Sequence, residues 1–247
     1  ERFEGRTITV ADLEVSPERR KAASSNVSAE VRAALELATR RVHLFHRTQK
    51  FPTTGVEKEG WSLHSRAAPL SRVAVYAPGG TAAYPSSVLM AGIPAKVAGV
   101  REVILLTPRA SDVVLHAAGL AGIDRVFEVG GAQAIAAAAF GTDTIPRVDK
   151  IVGPGNAYVT AAKRQVFGVC DVDGIAGPSE ILVMADASAD PELVAADLIS
   201  QAEHDPQACA VLVTDAPELP DAVDAALTRQ LQDLPRAEIA ITSLHEQ

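Results

Sequence analysis

Val73-Ala-Val-Tyr-Ala-Pro-Gly-Gly-Thr81 decides how the rest of the chain is read. Val73 to Tyr76 is a short apolar run, and a proline and two glycines end it. A run of this kind, bounded by turn residues, is a buried strand. Pro85 and Ser86 then open a helix to about Gly99, since proline suits the first helical position and glycine the position past the last. The unit recurs downstream. Glu102–Thr107 is a strand ended by Pro108, and a helix follows from Ser111 to Gly119. Arg125–Val129 is a strand, Gly130-Gly131 a turn, and Ala132–Phe140 an alanine-rich helix. Lys150–Val152, Gly153-Pro-Gly155 and Asn156–Val169 read as strand, turn and helix. After a loop at 173–178 come a strand at Ile181–Ala185, a helix opened by Asp190-Pro191-Glu192, a strand at Ala210–Thr214 and a helix from Glu218 to about Leu231. Strands and helices alternating through short loops predict an α/β fold, a parallel sheet with right-handed crossovers and flanking helices.

Upstream the pattern is helical. Ser16-Pro17-Glu18 starts one helix and Ser28 a second, which carries Val31, Leu35, Ala38, Val42 and Phe45 at helical spacing. His43 and His46 lie on it as surface or packing residues. Residues 51–72 have no clear period and are expected as a loop or short hairpin anchored by Trp61. Composition agrees with a helix-covered sheet: 47% of the 247 residues are apolar and only 4% aromatic, so the core is built from Ala, Val, Ile and Leu. The net charge of −8, without blocks of like charge, argues against nucleic-acid or anionic-membrane partners. No uncharged apolar run reaches membrane-spanning length, and Glu1-Arg-Phe-Glu4 does not resemble a signal peptide. Cys170 and Cys209 form no metal or redox spacing and are expected as reduced thiols in a cytoplasmic protein.

In parallel sheets ligands bind beyond the carboxyl ends of the strands. The glycine turns at 79–80, 130–131 and 153–155 each follow a strand and are expected on one edge, where amides and helix starts can meet a phosphate. No Gly-x-Gly-x-x-Gly follows a strand, and no Gly-x4-Gly-Lys-Ser/Thr is present, so both standard phosphate-binding fingerprints are missing. A second feature is Ile199-Ser-Gln-Ala-Glu-His-Asp-Pro206, read as a helix end that Pro206 keeps from continuing past Asp205. Gln201 and His204, three apart, share a face of its last turn. Their amide oxygen and imidazole nitrogen could hold one divalent cation, favoured by the negative end of the helix dipole. Two ligands are half of a zinc shell. The residues alone therefore describe an α/β enzyme with a ligand edge and a candidate metal pair, and leave the reaction open.

The loops together resemble histidinol dehydrogenases. The matching stretches are Tyr76–Thr81, Tyr84–Ser87, Val129–Ala134, Asp149–Asn156, Tyr158–Arg164, Gly177–Glu180 and Ser200–His204, in order and at the family's spacing. The resemblance implies oxidation of L-histidinol to L-histidine through an aldehyde, in two NAD-dependent steps of histidine biosynthesis, by a zinc-dependent homodimer. It implies NAD contacts at Tyr76, Gln133 and Asn156, a substrate contact at Ser179, and zinc and substrate contacts at Gln201 and His204. It also implies two incomplete Rossmann-like units. Residues 73–180 are expected to form the NAD-binding one. Residues 1–72 with 181–247 are expected to supply N-terminal helices and the start of the second, with the site in the cleft between the units.

The family's catalytic Glu-His pair, its other two zinc ligands (an Asp and a His) and its substrate-binding tail map beyond residue 247. The chain is thus expected to be roughly the front half of such an enzyme, inactive alone, with an uncovered apolar face on its second unit. A related zinc- and NAD-dependent alcohol dehydrogenase acting on another amino alcohol or polyol is one alternative. An inactive relative that binds nucleotide or dimerises is the other.

Overall fold

A computed structural model describes residues 9–79, 83–175 and 179–246. The chain divides into two compact units, Glu1–Ile175 and Ala176–Gln247. The first begins with helices α1 (Pro17–Ala23) and α2 (Ala29–Arg47) and a hairpin of β1 (Thr54–Lys58) and β2 (Trp61–Ser65). Four strand–helix repeats and a fifth strand follow: β3 (Arg72–Tyr76), α3 (Pro85–Ala98), β4 (Glu102–Thr107), α4 (Asp112–Leu120), β5 (Arg125–Glu128), α5 (Gly131–Phe140), β6 (Lys150–Val152), α6 (Ala157–Val166) and β7 (Asp171–Val172). The second unit holds β8 (Glu180–Ala185), α7 (Pro191–Ala202), β9 (Cys209–Thr214), α8 (Leu219–Gln232) and α9 (Ala237–Glu246).

The main sheet runs β5-β4-β3-β6-β7 with every pairing parallel. β3 sits centrally, and the chain reverses its direction of growth when it passes from β5 to β6. This reversal sorts the two cores by the two-residue period of the strands. Val73, Val75, Val103 and Leu105 face Val88, Leu89 and Ile93 of α3, Val114 and Leu115 of α4, and Leu35 of α2. Ala74, Tyr76, Ile104, Leu106 and Phe127 face Ala134, Ile135 and Ala138 of α5 and Val159 of α6. Serines 16, 28 and 111 cap α1, α2 and α4 through their side-chain oxygens, as the sequence leads one to expect. Because α3 and α4 lie over β3–β5, the opposite half of that face stays open. Lys150 and Val152 of β6 line a groove of about 1280 Å³ there, together with Phe51, Pro69 and Met90.

The N-terminal helices pack on this first unit, and the compact division falls at 175/176 against an expected boundary at 179–181. Along α2, Leu35 is buried and Ala38 and Val42 are partly buried against the core, whereas Val31 and Phe45 are exposed. The apolar row therefore meets the sheet only through its middle. α1 is held electrostatically. Arg19 donates from Nη1 to Glu128 Oε2 (3.0 Å), and from Nη2 to Glu128 Oε1 (3.3 Å) and the Ala110 carbonyl (2.9 Å). Glu128 is 2% exposed and also accepts the Ala110 N–H. Residues 51–72 do contain a hairpin, with Gly60 at φ +82° in its turn. Trp61 is not an anchor in this chain: it is 53% exposed, and every residue of both hairpin strands is exposed. A two-residue strand and α9 were not foreseen, the first because it is too short to show a period.

In the second unit β8 and β9 pair in parallel, and α7 and α8 cover one face through Val194, Leu198, Leu219 and Val223. The other face presents Leu182, Met184, Val211 and Val213, which are 42–80% exposed. Among the described residues no helix is long and apolar enough to cross a membrane.

Two outcomes follow for stability. Arg19→Met removes two charged hydrogen bonds from the buried Glu128 carboxylate and is expected to cost about 1–3 kcal/mol in urea unfolding. A loss below about 0.5 kcal/mol, the usual effect of a surface change, would show that the clamp carries little. Hydrogen bonds from Arg125 and from Lys150 hold the carboxyls of Glu14 and Asp171, respectively, below their ordinary range. Carboxyls held low in the fold take up protons more readily when unfolded, so their contribution is present above the unfolded carboxylate range and is lost as pH falls through the lowered one. Urea midpoints should therefore drop on acidification below about pH 4. A midpoint that stays unchanged as pH falls from about 4 through the lowered range would contradict the assignment.

Candidate functional site

Tyr76 ends β3 almost fully buried, at 3% exposure, and its hydroxyl accepts the N–H of Gly131 at 3.1 Å. Gly131 opens α5 at φ +70°. A Cβ there would lie 2.9 Å from Gln133 Oε1, so the exposed Gln133 amide folds back over the same peptide that Tyr76 holds. On the other side of β3, the loop after β6 comes against the same tyrosine. Gly153 has φ +121°, and a Cβ on it would sit 2.0 Å from the Tyr76 carbonyl oxygen. Gly155 has the same need for bareness against Val159, at 2.2 Å. Asn156 then caps α6, its Oδ1 accepting the Val159 N–H at 3.1 Å. Tyr76, Gln133 and Asn156, distant in sequence, thus converge on the carboxyl edge of the sheet at the point where strand order reverses. The glycine turns at 130–131 and 153–155 open on that edge, as does Gly79. Gly80 and Thr81 lie outside the described residues, as do Gly177 and Pro178. The edge offers two side-chain amides and the starts of α5 and α6, a donor-rich surface for a phosphate-bearing ligand.

The second set gathers in the other unit. Asp190 accepts the Glu192 N–H and Pro191 takes the first helical position, as expected for the start of α7. The helix ends at Ala202, earlier than Asp205. Asp205 forms its own turn, accepting the Gln207 N–H on Oδ1 (2.8 Å) and the Ala208 N–H on its carbonyl (2.9 Å), and this leads the chain around Pro206 into β9. Gln201 therefore stands in the last turn, and His204 lies just past it, exposed, with its N–H donated to the Gln201 carbonyl at 3.1 Å. Gln201 Nε2 donates to the Ser179 carbonyl at 3.2 Å, and Cys209 N–H donates to that same oxygen. Ser179 and Gln201 are thus in direct contact, with His204 one turn on. Among the described residues no three His, Cys, Asp or Glu side chains could share a metal ion. His204 carries a ring nitrogen of the kind zinc takes, and Gln201 a side-chain carbonyl oxygen beside it in the chain's turn.

An ion pair with a buried lysine, beside the first edge, escaped the sequence reading. Lys163 of α6 is 4% exposed and forms an ion pair with Asp173 at 2.7 Å. Its signal was a lysine on the same helical row as Val159 and Val166, where an apolar residue belongs. Cys170 is buried and its thiol is pushed up to about 11, first by burial and then by Asp171 and Asp149, so it is a poor nucleophile. Cys209 is also a free thiol.

Strand order, edge glycines and converging amides define a doubly wound α/β protein of the class that binds its ligand at the switch point. Residues 1–247 match the histidinol dehydrogenase family throughout, and the chain belongs to that family. It is 52% identical over 248 residues to the histidinol dehydrogenase of Syntrophotalea carbinolica, covering 98% of this chain and 58% of the relative. The Aquifex aeolicus histidinol dehydrogenase is 50% identical over 245 residues, with 99% and 58% covered. The crystal structure of histidinol dehydrogenase from Elizabethkingia anophelis superposes with a TM-score of 0.87 at 40% identity, covering 98% of this chain and 57% of that one. The chain thus spans somewhat over half the length of these relatives.

Gly153→Ala tests the edge. Its methyl group meets a backbone oxygen at positive φ, so a loss of at least about 2 kcal/mol in unfolding free energy is expected. Stability equal to the parent protein's would mean that the loop does not lie against Tyr76 as described.

Proposed function

We propose that this chain is the front part of an enzyme that oxidises the amino alcohol L-histidinol to L-histidine, through an aldehyde kept in the site, in two NAD-dependent steps of histidine biosynthesis. The observation that carries this reading, beside family membership, is the convergence of Tyr76, Gln133 and Asn156 on the reversal point of the sheet. In this reading the Gln133 and Asn156 amides hydrogen-bond NAD, and the α5 and α6 starts face its phosphates. Tyr76, whose hydroxyl accepts the Gly131 N–H, contacts NAD from the floor of the site. Ser179, Gln201 and His204 hold the substrate, and Gln201 and His204 also supply two zinc ligands. Zinc, which has no redox chemistry of its own, would polarise and orient the alcohol when bound there. The bond between Gln201 Nε2 and Ser179 supports this, because it commits the amide nitrogen and leaves the oxygen as the donor atom. The acid/base pair and the remaining zinc ligands belong to the longer protein, where residues 181–247 begin a second Rossmann-like unit. That protein works as a homodimer in the cytoplasm, in keeping with two free thiols.

The test uses the longer protein with zinc, L-histidinol and NAD, following NADH. His204→Ala should abolish oxidation with NAD affinity near normal, and equal loss of both would make His204 structural. Asn156→Ala should weaken NAD about tenfold, as for the loss of one good hydrogen bond, and Asn156→Asp controls for the helix cap. Unchanged NAD affinity in both would remove Asn156 from the site. This chain alone should give no NADH, and turnover would place an acid/base within residues 1–247.

A further inference from the structure

Gly153 is gripped from two directions by charged side chains that no role described so far requires. Lys163 Nζ donates to the Gly153 carbonyl at 2.5 Å and to Asp173 Oδ1 at 2.7 Å. Asp173, just past β7, accepts the Gly153 N–H on Oδ2 at 2.7 Å and the Gly174 N–H on Oδ1 at 2.9 Å. Both peptide planes flanking Gly153 are therefore fixed, one through its carbonyl and one through its N–H. The parts come from three places: the loop after β6, the second turn of α6 and the end of β7. The Lys163 side chain is only 5% exposed, whereas that of Asp173 is 38% exposed.

Burying an ammonium among Val159, Val166 and Ile151 is a costly way to stabilise a fold, since well-packed apolar side chains commonly do as well or better. What the pair supplies is orientation. Gly153 leads through Pro154 and Gly155 to Asn156 and lies against Tyr76, so the direction of its two peptides sets the path between two residues placed at the cofactor. We propose that Lys163 is a positioning residue for the nicotinamide cofactor, acting with Asp173 through the 153–156 loop. This rests on the reading of that edge as the NAD site. Lys163 itself stays behind the loop and touches neither cofactor nor substrate. The pair makes the loop rigid before the cofactor arrives, so ordering it costs no binding energy.

Lys163→Met, Lys163→Arg and Asp173→Asn in the longer protein test this through NAD affinity, the KM for L-histidinol, kcat and thermal midpoint. Lys163→Met should raise the Kd for NAD by about tenfold or more, a usual effect of a displaced binding group, with the KM for L-histidinol unchanged. Lys163→Arg should restore much of the affinity. The Lys163→Met/Asp173→Asn double variant should be no weaker than the weaker single one, because both remove one device. Parental NAD affinity with a lowered thermal midpoint would make the pair structural and overturn the proposal. Asn156→Ala, run beside them, separates the two levels. If it weakens NAD and Lys163→Met does not, the positioning role alone falls. If neither changes NAD affinity, the reading of the edge falls and takes the positioning role with it. Should Lys163→Met fail to fold, Asp173→Asn keeps the shape of the side chain and decides the question in the same way.

Discussion

The backbone of Gly153 passes so near the Tyr76 carbonyl that a methyl group there would lie 2.0 Å from the oxygen. That approach joins the two halves of the main sheet on its carboxyl edge. β3 and β6 are neighbours in space, yet β4 and β5, with α3, α4 and α5, intervene in sequence. The close packing of the loop after β6 on the end of β3 converts the reversal of strand order into a surface. Without it Asn156 and Tyr76 would be unrelated residues at the ends of separate strands. The other approach, of Gly131 to the Tyr76 hydroxyl, adds the start of α5 to the same surface. Tyr76 is the post on which two loops are hung.

Electrostatics supports this edge from beneath. Glu128 ends β5 and Asp173 follows β7, so a carboxylate stands at each side of the sheet's carboxyl end, and each meets a cation from a helix. In the first case Arg19 ties α1 to the sheet and to the loop after β4. In the second Lys163 ties α6 to the loop after β6. Neither cation is on a strand, so each pair locks a helix against the edge rather than strengthening the strand ladder.

Much of this was legible in the sequence, for definable reasons. Strands such as Glu102–Thr107 read clearly because both faces are buried and the run is continuously apolar. Helix starts at Ser16, Ser28, Ser111 and Asn156 read clearly because a cap is a local interaction between residues two or three apart. The site residues came from loop motifs, whose glycines are demanded by close approaches. What stayed hidden depends on long-range partners. Nothing local marks Asp173 as the partner of Lys163 or Glu128 as that of Arg19, because each pair forms only after the sheet has assembled. The end of α7 was misplaced because Asp205 makes a turn of its own before Pro206 can act. Trp61 was expected inside because a lone tryptophan usually finds a core, and its hairpin has none to offer.

That hairpin sets a separate energy scale within the molecule. β1 and β2 are joined to each other residue by residue from Thr54–Ser65 to Lys58–Trp61, and no residue of either strand is buried. An isolated two-stranded ribbon is marginal in water. Its amides are protected from hydrogen exchange only by their own ladder, while those of β3 and β4 open with the whole core. Residues 54–65 can thus unzip and re-form many times within the lifetime of the folded sheet, leaving the edge around Tyr76 undisturbed.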